Sequence, residues 1–285
     1  MSRALTVLEP GPQTTVQDSG RAGLAHLGVP RAGWADPAAA RLANRLVGNA
    51  EDAAVLECVL GGLQVRARGA MTVAVTGARC SMFVDGRPAP FGAAVSVADG
   101  QVLALGVPRE GLRSWVAFSG GVTAREVLGS RSTDTLSGLG PAVLDAGAVL
   151  PLGPAQGRPG AGEAVHAAHP ARVLHWWPGP RADWFGPETL ETLESTTYVV
   201  QPDSNRVALR LDGPSLQRTR AGELDSEGLV LGAVQVPPSG RPLVFLHDHP
   251  TTGGYPVVGV VDAADLVGCV QLRPGDEVSV RSLRG

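Results

Sequence analysis

Four stretches of this 285-residue chain hold more polar and glycine residues than a hydrophobic core needs. The first runs Gln13-Thr14-Thr15-Val16-Gln17-Asp18-Ser19-Gly20-Arg21 and is followed by Gly28-Val29-Pro30. It lies after a proline turn, in the kind of loop that commonly carries function. Asp18 there is a base, an orienter of Arg21, or half of an Asp–Arg staple. The second stretch is Ala43-Asn44-Arg45-Leu46-Val47-Gly48-Asn49, with Glu57 in the apolar run behind it. The two asparagines read as caps of a helix end. A carboxylate in an apolar run needs a partner, so Glu57 is an ion-pair member or a site group. The third is Gly120-Gly121 and then Leu128-Gly129-Ser130-Arg131-Ser132-Thr133. Arg131 offers a planar fork for a carboxylate or phosphate, with Ser130, Ser132 and Thr133 as hydroxyl donors. An ordinary pairing of Arg131 with Glu126 or Asp134 is the alternative. The fourth is Ser226-Glu227-Gly228, Gly232 to Pro237 with Gln235, and Asp248 to Pro256. Within it, Thr251-Thr252-Gly253-Gly254-Tyr255 can form a nest of backbone N–H groups for an anion or oxyanion, or a tight turn with local hydroxyl bonds.

Other chemistries are absent from the residue types. His247 and His249 share one face of a strand, but no third ligand stands nearby, so no metal is expected. No Gly-x-Ser-x-Gly elbow is present. All 24 Lys+Arg residues are arginine, which removes Schiff-base chemistry, a phosphate-cradling lysine and a biotinylated lysine. Any biotin must therefore ride on another chain. The net charge of -3 without a basic cluster argues against nucleic acid. No apolar run approaches about 18 residues, and no secretory pattern opens the sequence, so a cytoplasmic protein without a membrane partner is expected. Cys58, Cys80 and Cys269 fit no ligand spacing and read as buried, reduced thiols.

The elements that must hold these groups are short. Aromatic residues make up 4% of the chain, so Val, Leu and Ala fill the core. The 38 Gly and 23 Pro, about a fifth of the chain, predict a mainly β protein with frequent turns. Strands are predicted at Ala4–Glu9, Val55–Val59, Leu63–Ala67, Met71–Val75, Val95–Val97, Val102–Leu105 and Trp115–Phe118. Asp36-Pro37 opens a helix that Gly48 ends, and short helices are expected at Pro187–Leu193 and Asp262–Val267. Gly100, Gly147 and Gly275 each precede an apolar residue by three (Leu103, Leu150, Val278), as in a tight hairpin. The second and third copies close segments that open alike, which divides the chain into β-rich subdomains at 1–153 and 172–285. The Gly/Ala/Pro-rich stretch 154–171 reads as an exposed linker.

In order from Val7 to Val280, the four stretches together resemble the family of the 5-oxoprolinase C subunit. It is also called KipA or allophanate hydrolase subunit 2, and belongs with biotin-dependent carboxyltransferases of subdomains A and B. The resemblance implies two cyclophilin-like β-barrel subdomains. It also implies ATP-dependent opening of 5-oxo-L-proline to L-glutamate, shared with a KipI-like B subunit in a heteromeric complex and with the separate A subunit of 5-oxoprolinase. ATP enters through the resemblance alone. A five-membered lactam is a poor electrophile, so coupling its opening to ATP makes chemical sense. The alternatives are carboxyl transfer, from biotin on another chain to urea or a related amide, and a non-catalytic KipA-like binder of a histidine-kinase inhibitor. Both substrate classes present an N–C=O unit, so the residues leave the choice open. The expected catalytic set is Asp18, Arg21, Arg131 and Glu57. The expected binding set is Gln17, Ser130, Ser132, Thr133, Gln235, Asp248 and Thr251, Thr252, Gly253, Gly254 and Tyr255, with most of these converging on one cleft. Two departures stand out: Gly33-Trp34-Ala35-Asp36 replaces a common Gly-Ala-Met-Asp, and His249-Pro250 replaces Arg-Gln.

Overall fold

The computed structural model describes residues 3–160, 169–220, 222 and 224–283. The chain divides into two compact units. One comprises Met1–Arg21 and Ala32–His169, the other Ala22–Arg31 and Pro170–Gly285. The second unit thus recruits a ten-residue excursion from the N-terminal region, which no composition shift marks. In the expected linker, residues 154–159 are exposed, but Gly160 donates to Arg45 and Leu46 carbonyls at the end of a helix. The rest of it, 161–168, lies outside the described residues.

The first unit contains β1 (Ala4–Pro10), β2 (Gln13–Gln17), α1 (Pro37–Leu46), β3 (Val55–Val59), β4 (Leu63–Arg68), β5 (Met71–Gly77), β6 (Met82–Val84), β7 (Arg87–Ala89), β8 (Val95–Val97), β9 (Val102–Leu105), β10 (Arg113–Phe118) and β11 (Val149–Pro151). They form two antiparallel sheets, ordered β11-β1-β4-β9-β6-β7 and β2-β3-β10-β5-β8. β4 shows the cause plainly: Leu63, Val65 and Ala67 are buried while Gln64, Arg66 and Arg68 face water, the period-2 pattern of a half-buried strand. Leu5, Val16, Leu56, Val73, Leu103 and Val116 meet in one core cluster, each buried aliphatic side chain stabilising by roughly 1.5–3 kcal/mol. α1 starts where predicted: Asp36 accepts from the Ala39 amide at 2.9 Å, with Pro37 in the first turn. It is tied to the sheet by Thr76, whose hydroxyl donates to the Ala39 carbonyl at 2.7 Å.

The second unit contains β12 (Val173–Pro178), α2 (Pro187–Ser195), β13 (Thr197–Val200), β14 (Ala208–Asp212), β15 (Glu227–Gly228), β16 (Ala233–Gln235), β17 (Leu243–Phe245), β18 (Thr252–Gly253), β19 (Val257–Val261), α3 (Ala263–Cys269) and β20 (Glu277–Ser282). Seven strands close a barrel in the order β12-β19-β16-β17-β14-β13-β20, and β15 pairs with β18 outside it. The expectation of a mainly β protein with a few short helices is met. Closure, however, is seen in the second unit, while the first keeps two sheets around its core.

The recurring glycine turns are real, but they are not hairpins. β8 and β9, which flank Gly100, belong to different sheets. Each turn instead clasps a third strand. The Gly100, Gly147 and Gly275 amides donate to the carbonyls of Ala67, Val7 and Val200, and those residues donate back to the carbonyls of Gln101, Ala148 and Asp276. All three glycines have left-handed φ, between 81 and 88°, which side chains resist. The strand after each turn then pairs with the clasped one, so that Leu103 faces Val65, Leu150 faces Leu5 and Val278 faces Tyr198. One turn device therefore serves both units.

Candidate functional site

The first and third stretches meet inside the first unit. Asp18 follows β2 directly and is buried. Its Oδ1 accepts from the Gly20 amide (2.9 Å), the Ser130 hydroxyl (2.5 Å) and the Ser132 hydroxyl (2.7 Å), and its Oδ2 from the Arg131 amide (2.5 Å). Four donors bind the carboxylate, and none is a cationic side chain. Three of the four fall on Oδ1 and one on Oδ2, and three of the four come from residues 130–132. Asp18 thus fits the role of an organiser of loop 130–132 better than that of a base.

Arg21 is 2% exposed, and it is not paired with Asp18. Its Nε donates to the Val127 carbonyl at 3.0 Å and its Nη2 to the Ser132 carbonyl at 2.7 Å. Its Nη1, Gln17 Oε1 and Thr133 Oγ1 are buried and have no hydrogen-bond partner among the described residues. Buried polar groups are almost always bonded, so this cluster retains unmet hydrogen-bonding capacity beside a guanidinium that pairs with no carboxylate among the described residues. Gln17 is held on its other side by donating to Thr15 and to the Thr133 carbonyl, both at 3.0 Å. Arg131 takes the pairing named as its alternative: Nη1 lies 2.7 Å from Glu126 and Nε donates to the Ala124 carbonyl.

Sequence reasoning misses Trp34 here. Its indole N–H donates to the Gln17 carbonyl at 3.0 Å and its amide to the Asp18 carbonyl at 2.9 Å. The Gly-Trp-Ala-Asp departure is thus the backing of the Gln17-Asp18 segment. The departure itself is the signal that could have found it.

Glu57 and the asparagines serve structure. Glu57 is buried in β3 with Arg113 of β10 at 3.2 Å and accepts from the Ala35 amide, an ion pair rather than a group facing a ligand. Burial raises the nearby Asp36 carboxyl, and the negative Glu57 adds to that shift, while backbone donors at Ala39 and Ala38 oppose it. Asn44 donates to the Glu51 and Ala53 carbonyls, and Asn49 bridges Asn44, Phe118 and the Gly120 amide. They staple the loop after α1. The three cysteines are free and buried, and burial pushes the Cys58 thiol up to about 12.

The fourth stretch lies in the second unit. Gln235 in β16 donates to the Tyr255 carbonyl at 3.0 Å, and a β-carbon at Gly253 would lie 2.9 Å from its side-chain nitrogen. Thr252–Gly253 form a short strand against Glu227–Gly228, and neither Gly253 nor Gly254 has a left-handed φ. The anticipated nest of converging N–H groups is therefore not formed: the segment is extended and laddered. The Thr251 carbonyl accepts from Leu229, and Tyr255 is 44% exposed with the Arg218 guanidinium 5.8 Å from its ring. Arg181 pairs with Glu227, raising the arginine and lowering the carboxyl. Asp248 is expected from the sequence to bind substrate, yet both its oxygens are taken by Arg206 at 3.0 Å, with both side chains buried. No sequence spacing links those two residues. The structure brings Gln17, Asp18, Arg21 and Ser130–Thr133 together in one unit and Gln235 with Gly253 and Tyr255 in the other.

The candidate glycine loop is extended and lysine is absent, so no nucleotide contact is assigned to these residues. No group of three metal-ligating side chains occurs among the described residues.

Comparison with known proteins places this geometry among related chains. Residues 27–282 match the family of the carboxyltransferase domain, subdomain A and B. The chain is 35% identical to the C subunit of 5-oxoprolinase from Escherichia coli (strain K12), across 96% of this chain and 89% of that protein. It is 32% identical to the urea amidolyase of Lachancea kluyveri across 96% of this chain, but 17% of that protein. In structure it resembles TTHA0988 (38% identity, TM-score 0.89, 99% of this chain and 56% of that one). It also resembles the K. lactis urea amidolyase (29% identity, TM-score 0.89, 99% of this chain and 19% of that one).

Proposed function

The chain belongs to the carboxyltransferase domain family of subdomains A and B, and from that premise we propose that it is the C subunit of an ATP-dependent 5-oxoprolinase. It would act with the B and A subunits of that enzyme to open 5-oxo-L-proline to L-glutamate. One observation carries the reading: the similarity to the Escherichia coli C subunit runs along 89% of that protein, whereas the Lachancea kluyveri urea amidolyase is matched over 17% of its length. In this role the Asp18 carboxylate holds the Ser130–Ser132 loop rigid through three hydrogen bonds. Arg21, lacking a carboxylate, supplies the positive potential beside it. A fixed array of donors acts on developing negative charge without reorganising during the reaction. ATP would supply activation of the lactam carbonyl, and no residue of this chain is assigned to it.

Carboxyl transfer to urea or another amide is the second reading, favoured by the fold shared with the K. lactis urea amidolyase at TM-score 0.89. Because these 285 residues include no lysine, the carboxybiotin would be carried outside them. The test is ADP release by the chain co-purified with the A and B subunits, with 5-oxoproline or urea as substrate. Release that depends on 5-oxoproline and on this chain is expected. Release with urea alone, or 5-oxoproline turnover undiminished when this chain is omitted, would overturn the assignment.

A further inference from the structure

β5 ends and β10 begins at the same end of their sheet, where Gly77 pairs with Ser114. Followed through β3, that end is where Val59 meets both Arg113 and Gln13, whereas Gln17, which leads into Asp18, pairs with Val55 at the other. The loop that leaves β5 and the loop that enters β10 therefore lie at the opposite strand ends from the Asp18 cluster. Between them is a cleft of about 590 Å³, lined by Arg79, Cys80 and Ser81 from the first loop and by Val107, Arg109 and Glu110 from the second. Small-molecule sites typically occupy about 300–1,000 Å³. The loops are tied to each other and to the sheet. The Gly106 amide donates to the Ser81 carbonyl and the Ala78 amide to the Arg113 carbonyl, both at 2.8 Å, and the Ser114 hydroxyl donates to the Ala78 carbonyl at 2.7 Å.

The positive charge in this cleft is uncompensated. Arg79 and Arg109 are exposed, and among the described residues neither guanidinium has a hydrogen-bond or ion-pair partner. Glu110, the one carboxylate among the lining residues, lies 3.2 Å from the His169 ring. Burial raises the Cys80 thiol, so it stays protonated and adds no negative charge. Two cations lining one cavity repel each other, and a doubly charged anion between them turns that repulsion into two attractions. Guanidinium forks match the paired oxygens of carboxylate and phosphate, and the Ser81 hydroxyl adds a further donor. We propose that this cleft is a binding site separate from the Asp18 cluster, taking a small dianion, a dicarboxylate or a phosphate monoester, between Arg79 and Arg109. A nucleotide fits less well, because Val107 is the one aliphatic side chain of the lining and no aromatic ring stands among those residues to stack on a base.

The test is calorimetric titration of the purified full chain, with no other subunit present, in a low-salt buffer free of other oxyanions, since salt screens exposed charges. Succinate is the dicarboxylate probe and inorganic phosphate the phosphate probe. At least one should bind saturably, and Arg79→Ala and Arg109→Ala should each weaken that binding roughly tenfold or more, because each removes a charge-assisted contact. Glu110→Gln should bind the same probe about twofold or more tighter, with a repelling carboxylate gone. All three side chains are exposed, so the unbound variants should melt within about 2 °C of the parent chain. Binding of succinate alone would assign the cleft to dicarboxylates, and binding of phosphate alone to phosphate monoesters. Saturable binding of neither probe, binding that either arginine variant retains in full (an adventitious ion only), or weaker binding by Glu110→Gln would each overturn the proposal.

Discussion

Asp18 in the first unit and Asp248 in the second are both buried carboxylates beside a β-strand framework, and they are satisfied in opposite ways. Asp248 is neutralised by Arg206 through two 3.0 Å bonds, with the two side chains 0 and 1% exposed. Asp18 is held by two hydroxyls and two backbone amides, with no cation bonded to it, while the buried Arg21 spends its bonds on carbonyls. A balanced ion pair fixes the fold and leaves no field for a ligand. Separating the two charges keeps both available to polarise whatever lies near them, because they act in a medium less screening than water.

The largest expected effect follows from the second unit. Arg206→Ala strands the Asp248 carboxylate in the interior, which costs about 3–5 kcal/mol, out of a total stability that is typically about 5–15 kcal/mol. Denaturant unfolding should register that loss, and Arg206→Met with Asp248→Leu should recover most of it, since an apolar pair of similar size removes both charges. A loss below about 1 kcal/mol for Arg206→Ala would mean that Asp248 does not depend on this pair. The contrast with Asp18 would then lose its footing.

Asp18→Asn comes next and acts differently. An amide keeps one accepting oxygen and turns an NH2 group toward hydroxyl and amide donors, so the cluster must rearrange. About 1–3 kcal/mol of stability should be lost. Activity of the assembled enzyme should fall roughly a hundredfold, because the donor loop is no longer preorganised. Full activity with an intact melting transition would make the cluster a scaffold and nothing more.

How much of this is legible in the sequence depends on the range of each interaction. The strands at Val55–Val59, Val95–Val97 and Val102–Leu105 fall where the sequence predicts them, to the residue, because alternation and glycine turns are local signals. So does the cap at Asp36. β2 reads as a polar motif instead, since Thr14, Thr15 and Gln17 are polar yet buried, and it is their hydrogen bonds that permit this. The partnerships that build the candidate site and the buried ion pairs are long-range. Asp18 finds Ser130 112 positions away and Asp248 finds Arg206 42 positions away, and nothing in local spacing encodes either. Residue type is therefore enough to single out the motifs, while the roles within them are not legible: Glu57 and Asp248 form ion pairs, and the Thr-Thr-Gly-Gly segment is a strand.

The smallest effect is expected at the residue that looks most catalytic by type. Arg131 carries a guanidinium 35% exposed, and what reaches Asp18 is its backbone amide, which alanine retains. Its side chain is tied to Ala124 and Glu126 within the same loop. Arg131→Ala should therefore cost about 0.2–1 kcal/mol, the usual range for an exposed ion pair. Activity should fall by only a few-fold, through looser positioning of the loop. Glu126→Gln should do about the same, and combining the two should add little, because either change alone removes the shared contact. Denaturant midpoints for the single and double variants, with turnover of the assembled enzyme, decide the matter. A hundredfold loss from Arg131→Ala with unchanged stability would mean that the guanidinium leaves Glu126 to meet the substrate, and the anion-binding role would pass from Arg21 to Arg131.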